Sequence, residues 1–366
     1  MANDSLHSNA LCFSPIYKNP TYLPGGGVKM TFPACGAKKV SIKGMSGYTG
    51  LEDRVYDFLP LADGSFELTL YGIRPGTHYV VFIVDGIETV NPTMPLYWVL
   101  NKAVNSLDIP NPDYDFYNVK DVPHGQVRKV YFKSELTGKM RAINVYTPPS
   151  YETDLKKRYP VLYLQHGSSE SETGWVEQGK INFIADNLLA EGKMEEMIIV
   201  NEYGYGFPDG ADAEKDMMAL HQQNKFQEVL VKDTIPFVEK TFRVIADPAH
   251  RALTGLSMGG MQTCTTVFSN PGLFGYVGIM SAGVRNKRFN PNPVISDEAL
   301  FKATCKKVLV SGGELENNNG GFLNLDDNEA FFAERGIPVL KVLSEGAHEW
   351  QAWRVAAYKW LPELFR

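Results

Sequence analysis

At 366 residues the chain is long for one hydrophobic core, so two domains are expected. A net charge of −6 with no Lys/Arg-rich run excludes the basic surface of a nucleic-acid binder. Four scattered cysteines (Cys12, Cys35, Cys264, Cys305) exclude a disulfide framework or zinc site, and no apolar run reaches membrane-spanning length. No metal, cofactor, nucleic acid or membrane partner is therefore expected. A Cys12–Cys35 bridge stays open, and Cys264 reads as a buried small apolar residue.

Residues 1–27 are polar and rich in Pro and Gly, ending in Pro24-Gly-Gly-Gly27, and read as an irregular lead-in. Residues 28–104 change to short β-rich runs, among them VKMTF, KKVSIKG, SFELTLYG and HYVVFIVDG, separated by Gly, Pro and Asp turns. That pattern predicts an all-β, immunoglobulin-like sandwich. Residues 105–125, with Asn105, Asp108, Pro110, Pro112, Asp113, Pro123 and Gly125, read as a linker.

Residues 126–366 alternate strands with helices. VRKVYFKSEL and MRAINVYTPPSY form a hairpin around Thr137-Gly138. Tyr159–Gln165, Met197–Val200, the strand before Ser257, Tyr276–Gly283, Lys306–Gly313 and Pro338–Gly346 supply further strands. Helices are expected at Ile181–Gly192, Phe226–Phe242, Met258–Phe268, Asn328–Arg335 and Trp350–Leu364. The alternation predicts a mostly parallel sheet covered by helices on both faces, with ligands at the carboxyl ends of the strands.

Gly255-Leu-Ser257-Met-Gly259 matches G-x-S-x-G between a strand and a helix of small residues. In that context the glycines allow a sharp turn that lifts the serine Oγ out of the sheet. A serine hydroxyl is a poor nucleophile near neutral pH and needs an adjacent base. Of the seven histidines, His348 lies on a strand-end loop after the serine, in the chain order of α/β hydrolases. The orienting carboxylate should follow a late strand. Glu316 is preferred over Glu314, Asp326 and Asp327, because helix capping accounts for the aspartates. The backbone N–H groups of Met258 and Ser168 are candidate oxyanion donors, with His166 bracing the loop that carries Ser168. Trp175, Tyr203, Tyr205 and Trp350 are candidate substrate contacts, with packing as the competing reading for each.

These residues, with Asp121-Val-Pro-His-Gly125, Val145-Tyr-Thr-Pro-Pro149, Tyr163-Leu-Gln-His-Gly167, the Ile184–Gly192 helix and Ser281-Ala-Gly283, resemble the esterase-D-like α/β hydrolases. More closely they resemble the family 1 carbohydrate esterases that include feruloyl esterases. The resemblance implies Ser257 as nucleophile, His348 as base, Glu316 as acid, and Met258 and Ser168 as oxyanion donors. Two positions depart from the pattern: Glu316 stands where Asp is common, and the loop after His166-Gly167 runs Ser168-Ser-Glu-Ser-Glu172 where glycine is frequent. Gly76-Thr-His-Tyr-Val-Val-Phe-Ile-Val-Asp-Gly86 followed by Asn91-Pro92 resembles the family-48 carbohydrate-binding modules, with Tyr79, Phe82 and Trp98 as candidate stacking aromatics.

The implied activity is a serine esterase releasing ferulic or p-coumaric acid from feruloylated xylan or xylo-oligosaccharide. The alternatives are an acetylxylan or other acyl esterase or acyltransferase on the same machinery, and a non-catalytic glycan-binding protein. The opening MANDSLHSNALCF lacks the blocks of a signal peptide, and a secreted or periplasmic mature chain is the expected setting.

Overall fold

The computed structural model describes residues 19–34, 36–45, 51, 54–99, 102–207, 224–285, 292–316 and 323–366. The Cys12–Cys35 pairing therefore falls outside the described residues. The chain divides into two compact units, one of Met1–Val119 with Glu349–Gln351 and the other of Lys120–His348 with Ala352–Arg366.

The first unit is all β. One sheet joins β1 (Thr21–Leu23), β2 (Gly27–Phe32), β6 (Phe66–Leu70) and β5 (Leu59–Pro60) in that order. The other runs β4 (Tyr56–Asp57), β3 (Val40–Gly44), β7 (Gly76–Val84), β10 (Lys102–Ile109) and β9 (Leu96–Val99), with β8 (Ile87–Thr89) paired to β7. Every pairing is antiparallel. Val28, Met30 and Phe32 of the first sheet share one core with Val40, Ile42, Val80, Phe82, Leu107 and Ile109 of the second.

Two boundaries differ from expectation. Pro24-Gly-Gly-Gly27 is not part of an irregular lead-in but turns β1 into β2, with Gly25 and Gly26 at φ of 79° and 77°. The expected linker begins too early, because β10 continues to Ile109. Asn105 and Asp108 have the composition of turn residues but work as strand residues with buried partners. Asn105 Oδ1 accepts from the Asn91 N–H at 2.6 Å, and Asp108 accepts from the Thr77 hydroxyl at 2.8 Å. Phe82 is core, 0% exposed with its ring 5.2 Å from Phe32, so it cannot stack on a glycan; Trp98 is 64% exposed.

The second unit is built on a sheet ordered β11 (Gln126–Lys133), β12 (Met140–Thr147), β14 (Ile198–Glu202), β13 (Val161–Gln165), β15 (Arg251–Leu256), β16 (Tyr276–Met280), β17 (Lys307–Gly313) and β18 (Val339–Ser344). The β11–β12 and β12–β14 pairs are antiparallel, and all later pairs are parallel. Every residue of β13, β14, β15 and β16 is buried, as expected of strands covered on both faces. The helices are α1 (Gly174–Glu177), α2 (Ile181–Ala190), α3 (Phe226–Val229), α4 (Ile235–Thr241), α5 (Met258–Ser269), α6 (Glu298–Thr304), α7 (Leu325–Ala333) and α8 (Trp350–Trp360).

The single helix expected over 226–242 is α3 and α4 joined by a π-helical turn, Leu230–Thr234. Pro236 has no N–H to give an α-helical bond, and the wider turn just before it re-registers the backbone. Helix α7 starts earlier than its apolar pattern suggested, because the Asn324 side chain accepts from the Asp327 N–H and caps it.

Candidate active site

Ser257 sits between β15 and α5 at φ 53°, ψ −117°, a conformation that costs an ordinary L-residue about 1–3 kcal/mol. Two glycines make that turn possible. A Cβ on Gly255 would lie 2.3 Å from the backbone of Gly259, and one on Gly259 would lie 2.6 Å from the His166 carbonyl oxygen. The Ser257 N–H donates to Met280 O at 2.9 Å, tying the turn to the next strand.

The structure brings the three residues read from the sequence into one hydrogen-bonded line. His348 Nε2 stands 2.8 Å from Ser257 Oγ, and His348 Nδ1 stands 2.7 Å from Glu316 Oε2. Each comes from a different strand end: Ser257 after β15, Glu316 after β17, His348 after β18. Glu316 is 7% exposed. Burial pushes its carboxyl up, but His348, through hydrogen bond and charge, and the donors from Ser281 and Gly313 outweigh burial and hold it below its ordinary value. The alternative acids are elsewhere: Glu314 is exposed, Asp326 pairs with Lys341, and Asp327 pairs with Arg285 at 2.7 Å.

Behind the carboxylate lies a layer that the sequence did not reveal. Glu316 Oε1 accepts from the Gly313 N–H at 2.9 Å and from the Ser281 hydroxyl. Ser281 Oγ in turn accepts from Trp353 Nε1 at 2.8 Å. The Trp353 ring also meets His348 edge-on, with centroids 5.2 Å apart. In the sequence Ser281 stood out only within Ser281-Ala-Gly283, one of the stretches that carry the family resemblance, with no role attached to it.

The loop 166–170 borders Ser257: a Cβ on Gly167 would lie 3.6 Å from Ser257 Cβ. His166 is fully buried, and burial lowers its imidazole to about 4. It is therefore neutral, with Nδ1–H donating to Gly167 O at 2.7 Å and Nε2 accepting from the Gly204 N–H at 2.9 Å. The Gly167 N–H donates to Glu170 Oε2 at 3.0 Å, and the Ser169 N–H donates to the Tyr205 hydroxyl at 2.5 Å. Ser169 holds φ 63° where a glycine is commoner. None of these bonds uses the Ser168 N–H, and Met258 opens α5, where the first amides have no partner within the helix.

The four expected aromatic contacts separate into two pairs. Trp175 and Trp350 are each 1% exposed, so neither meets a substrate; Trp175 is a brace whose Nε1 donates to Gln165 O at 3.0 Å. Tyr203 is 36% exposed and Tyr205 half-buried, with centroids 5.4 Å apart, and Tyr205 stacks on Phe207 at 5.7 Å. Arg141 fastens this loop from below. It donates to Tyr205 O at 2.8 Å and to Tyr203 O, and pairs with buried Glu202 at 2.9 Å. Burial raises the Glu202 carboxyl more than Arg141 lowers it.

Comparison with known proteins agrees with this geometry. A family model described as "Putative esterase" matches residues 134–364. An endo-1,4-beta-xylanase/feruloyl esterase of Xylanibacter ruminicola is 36% identical over 297 residues, covering 80% of this chain. The chain spans only 39% of that relative's length. A solved ferulic acid esterase superposes with a TM-score of 0.52 at 28% identity, over 66% of this chain and 97% of its own. The enterobactin esterase of Shigella flexneri shares the fold over 95% of each chain, with a TM-score of 0.62 at 16% identity. The match over more than half its residues places the chain in the esterase family, and its likeness to the feruloyl-esterase members among carbohydrate esterases is borne out.

Proposed function

We propose that the chain is a serine carboxylic ester hydrolase that releases hydroxycinnamic acids, ferulic or p-coumaric, from esterified plant xylan. The observation that carries the reading is the unbroken line from Glu316 through His348 to Ser257, with Ser257 held on a strained turn. Ser257 Oγ attacks the ester carbonyl as His348 Nε2 takes its proton. Glu316 holds the imidazole in the tautomer with hydrogen on Nδ1 and stabilises the imidazolium that forms. The N–H groups of Met258 and Ser168 receive the developing oxyanion, an arrangement worth a few kcal/mol of barrier per donor, roughly 3 in measured cases. His348 then protonates the leaving sugar oxygen, and water repeats the sequence on the acyl-enzyme.

Tyr203 and Tyr205 are the aromatic surface available to a hydroxycinnamoyl ring. The all-β unit is read as an immunoglobulin-like module of the carbohydrate-binding type, with exposed Trp98 as its candidate sugar contact. No helix among the described residues is long and apolar enough to cross a membrane. A polymeric wall substrate supports a secreted or periplasmic setting.

The test compares wild type with Ser257→Ala on methyl ferulate, an aryl acetate and acetylated xylan. Loss of ferulate release on substitution, with ferulate preferred over acetate in the wild type, is expected. Unchanged hydrolysis by Ser257→Ala would overturn the reading, and a preference for acetate would replace the acyl group assigned.

A further inference from the structure

Glutamate carries one more rotatable bond than aspartate, so a glutamate facing His348 needs something to fix its carboxylate plane. Oε2 meets His348, and the other oxygen decides whether the group stays there. Oε1 is held by two donors: the Gly313 N–H at 2.9 Å, from the strand preceding Glu316, and the Ser281 hydroxyl, from the end of the neighbouring strand.

The direction of the Ser281 proton follows from its other neighbour. An indole N–H can only donate, so Trp353 Nε1 at 2.8 Å occupies a lone pair of Ser281 Oγ. The hydroxyl hydrogen is left for the carboxylate, which when ionised only accepts. The relay is dry: Ser281 is 0% exposed and Trp353 5%. Ser281 also holds φ 49°, a left-handed conformation rare outside glycine, and its N–H is pinned to Ser311 O at 2.7 Å. A strained, fully buried serine aimed at a buried carboxylate marks a position held for a purpose other than packing.

We propose that Ser281 is a positioning residue of the esterase reaction: oriented by Trp353, its hydroxyl locks Glu316 Oε1 so that Oε2 stays on His348 Nδ1. Ser281 touches neither substrate nor reacting atoms and acts only through Glu316. This rests on the reading of Ser257, His348 and Glu316 given above.

The test is a double-mutant cycle with kcat and KM measured separately on methyl ferulate. Ser281→Ala should lower kcat about 10- to 100-fold, the factor a hydrogen bond to a charged group is worth, with KM changed less than about twofold. In a Glu316→Ala background the same change should lower kcat by less than about twofold, because its target is gone. The low-field proton resonance of His348 Nδ1–H should broaden or shift in Ser281→Ala. If Ser281→Ala does not fold, Ser281→Cys and Trp353→Phe are measured in its place. Each should show the same fall in kcat at constant KM.

Equal losses in both backgrounds, or an unmoved His348 resonance with wild-type kcat, would reduce Ser281 to a structural residue. If Glu316→Ala alone keeps wild-type kcat, the failure lies in the assignment of the acid and not in Ser281.

Discussion

The backbone N–H of Ser169 donates to the hydroxyl of Tyr205 across 2.5 Å, joining the loop after β13 to the loop after β14. This bond, with Glu170 on the Gly167 N–H, holds a loop that runs Ser168-Ser-Glu-Ser-Glu172 with no glycine after Gly167. Tyr205→Phe keeps the ring and removes the acceptor. It should lower kcat roughly 5- to 30-fold, on the scale of one hydrogen bond of about 1–2 kcal/mol, while KM for methyl ferulate moves little. A raised KM with unchanged kcat would show instead that the hydroxyl contacts substrate.

Glu316 spans from Ser281 and Gly313 on one oxygen to His348 on the other. Glu316→Asp shortens that reach by a methylene and cannot satisfy both sides, so kcat should fall about tenfold or more. Glu316→Gln, which presents an amide to His348, should cost on the order of 10³-fold or more. Steady-state kinetics of the two variants checks the order, with Gln the worse.

His166 gives a pH dependence of stability with a definite sign. Its imidazole titrates near its ordinary 6.5 when unfolded and is lowered to about 4 by burial when folded. Between those values the unfolded chain binds the proton and the folded chain does not, so stability rises with pH across that window. The contribution is complete above about 6.5 and is lost as pH falls to about 4, amounting to roughly 3 kcal/mol. Urea unfolding at pH 8 and pH 5 should show the loss, and His166→Gln should reduce the difference between the two.

Gly259 sits where a Cβ would press 2.6 Å from the carbonyl oxygen of His166 and 2.8 Å from Gln165 Cγ. Gly259→Ala must push the 165–167 segment away from Ser257. A stability loss of about 1–3 kcal/mol, read as a lower urea midpoint, should accompany a fall in kcat.

Much of this site was legible because its signals are local. The turn around Ser257 requires glycine at 255 and 259, and His348 follows a strand end, so both could be read from short stretches of chain. Glu316 was harder, since Glu314 shares its turn. Which of the two points inward depends on Ser281 and Gly313, one of them 35 residues away. For Trp175 and Trp350 the sequence offered both substrate contact and packing, and burial selects packing, which aromatic composition near a site does not reveal. Asn105 and Asp108 were misread because a residue type suited to turns also serves in a strand once a buried partner exists. The π turn before Pro236 was invisible to a helical periodicity that only bends there and does not break.

The turn at Ser257 holds the nucleophile at φ 53°, ψ −117° in the folded chain itself. Its unfavourable geometry is a cost met as the chain folds. Protein lifetime and catalytic speed are set against each other at this single residue. Ser257→Gly and Ser257→Ala both lack the hydroxyl, but only glycine relieves φ 53°. The glycine variant should therefore melt at the higher temperature, because relief of about 1–3 kcal/mol of strain outweighs glycine's own entropic cost of roughly 0.5–1 kcal/mol.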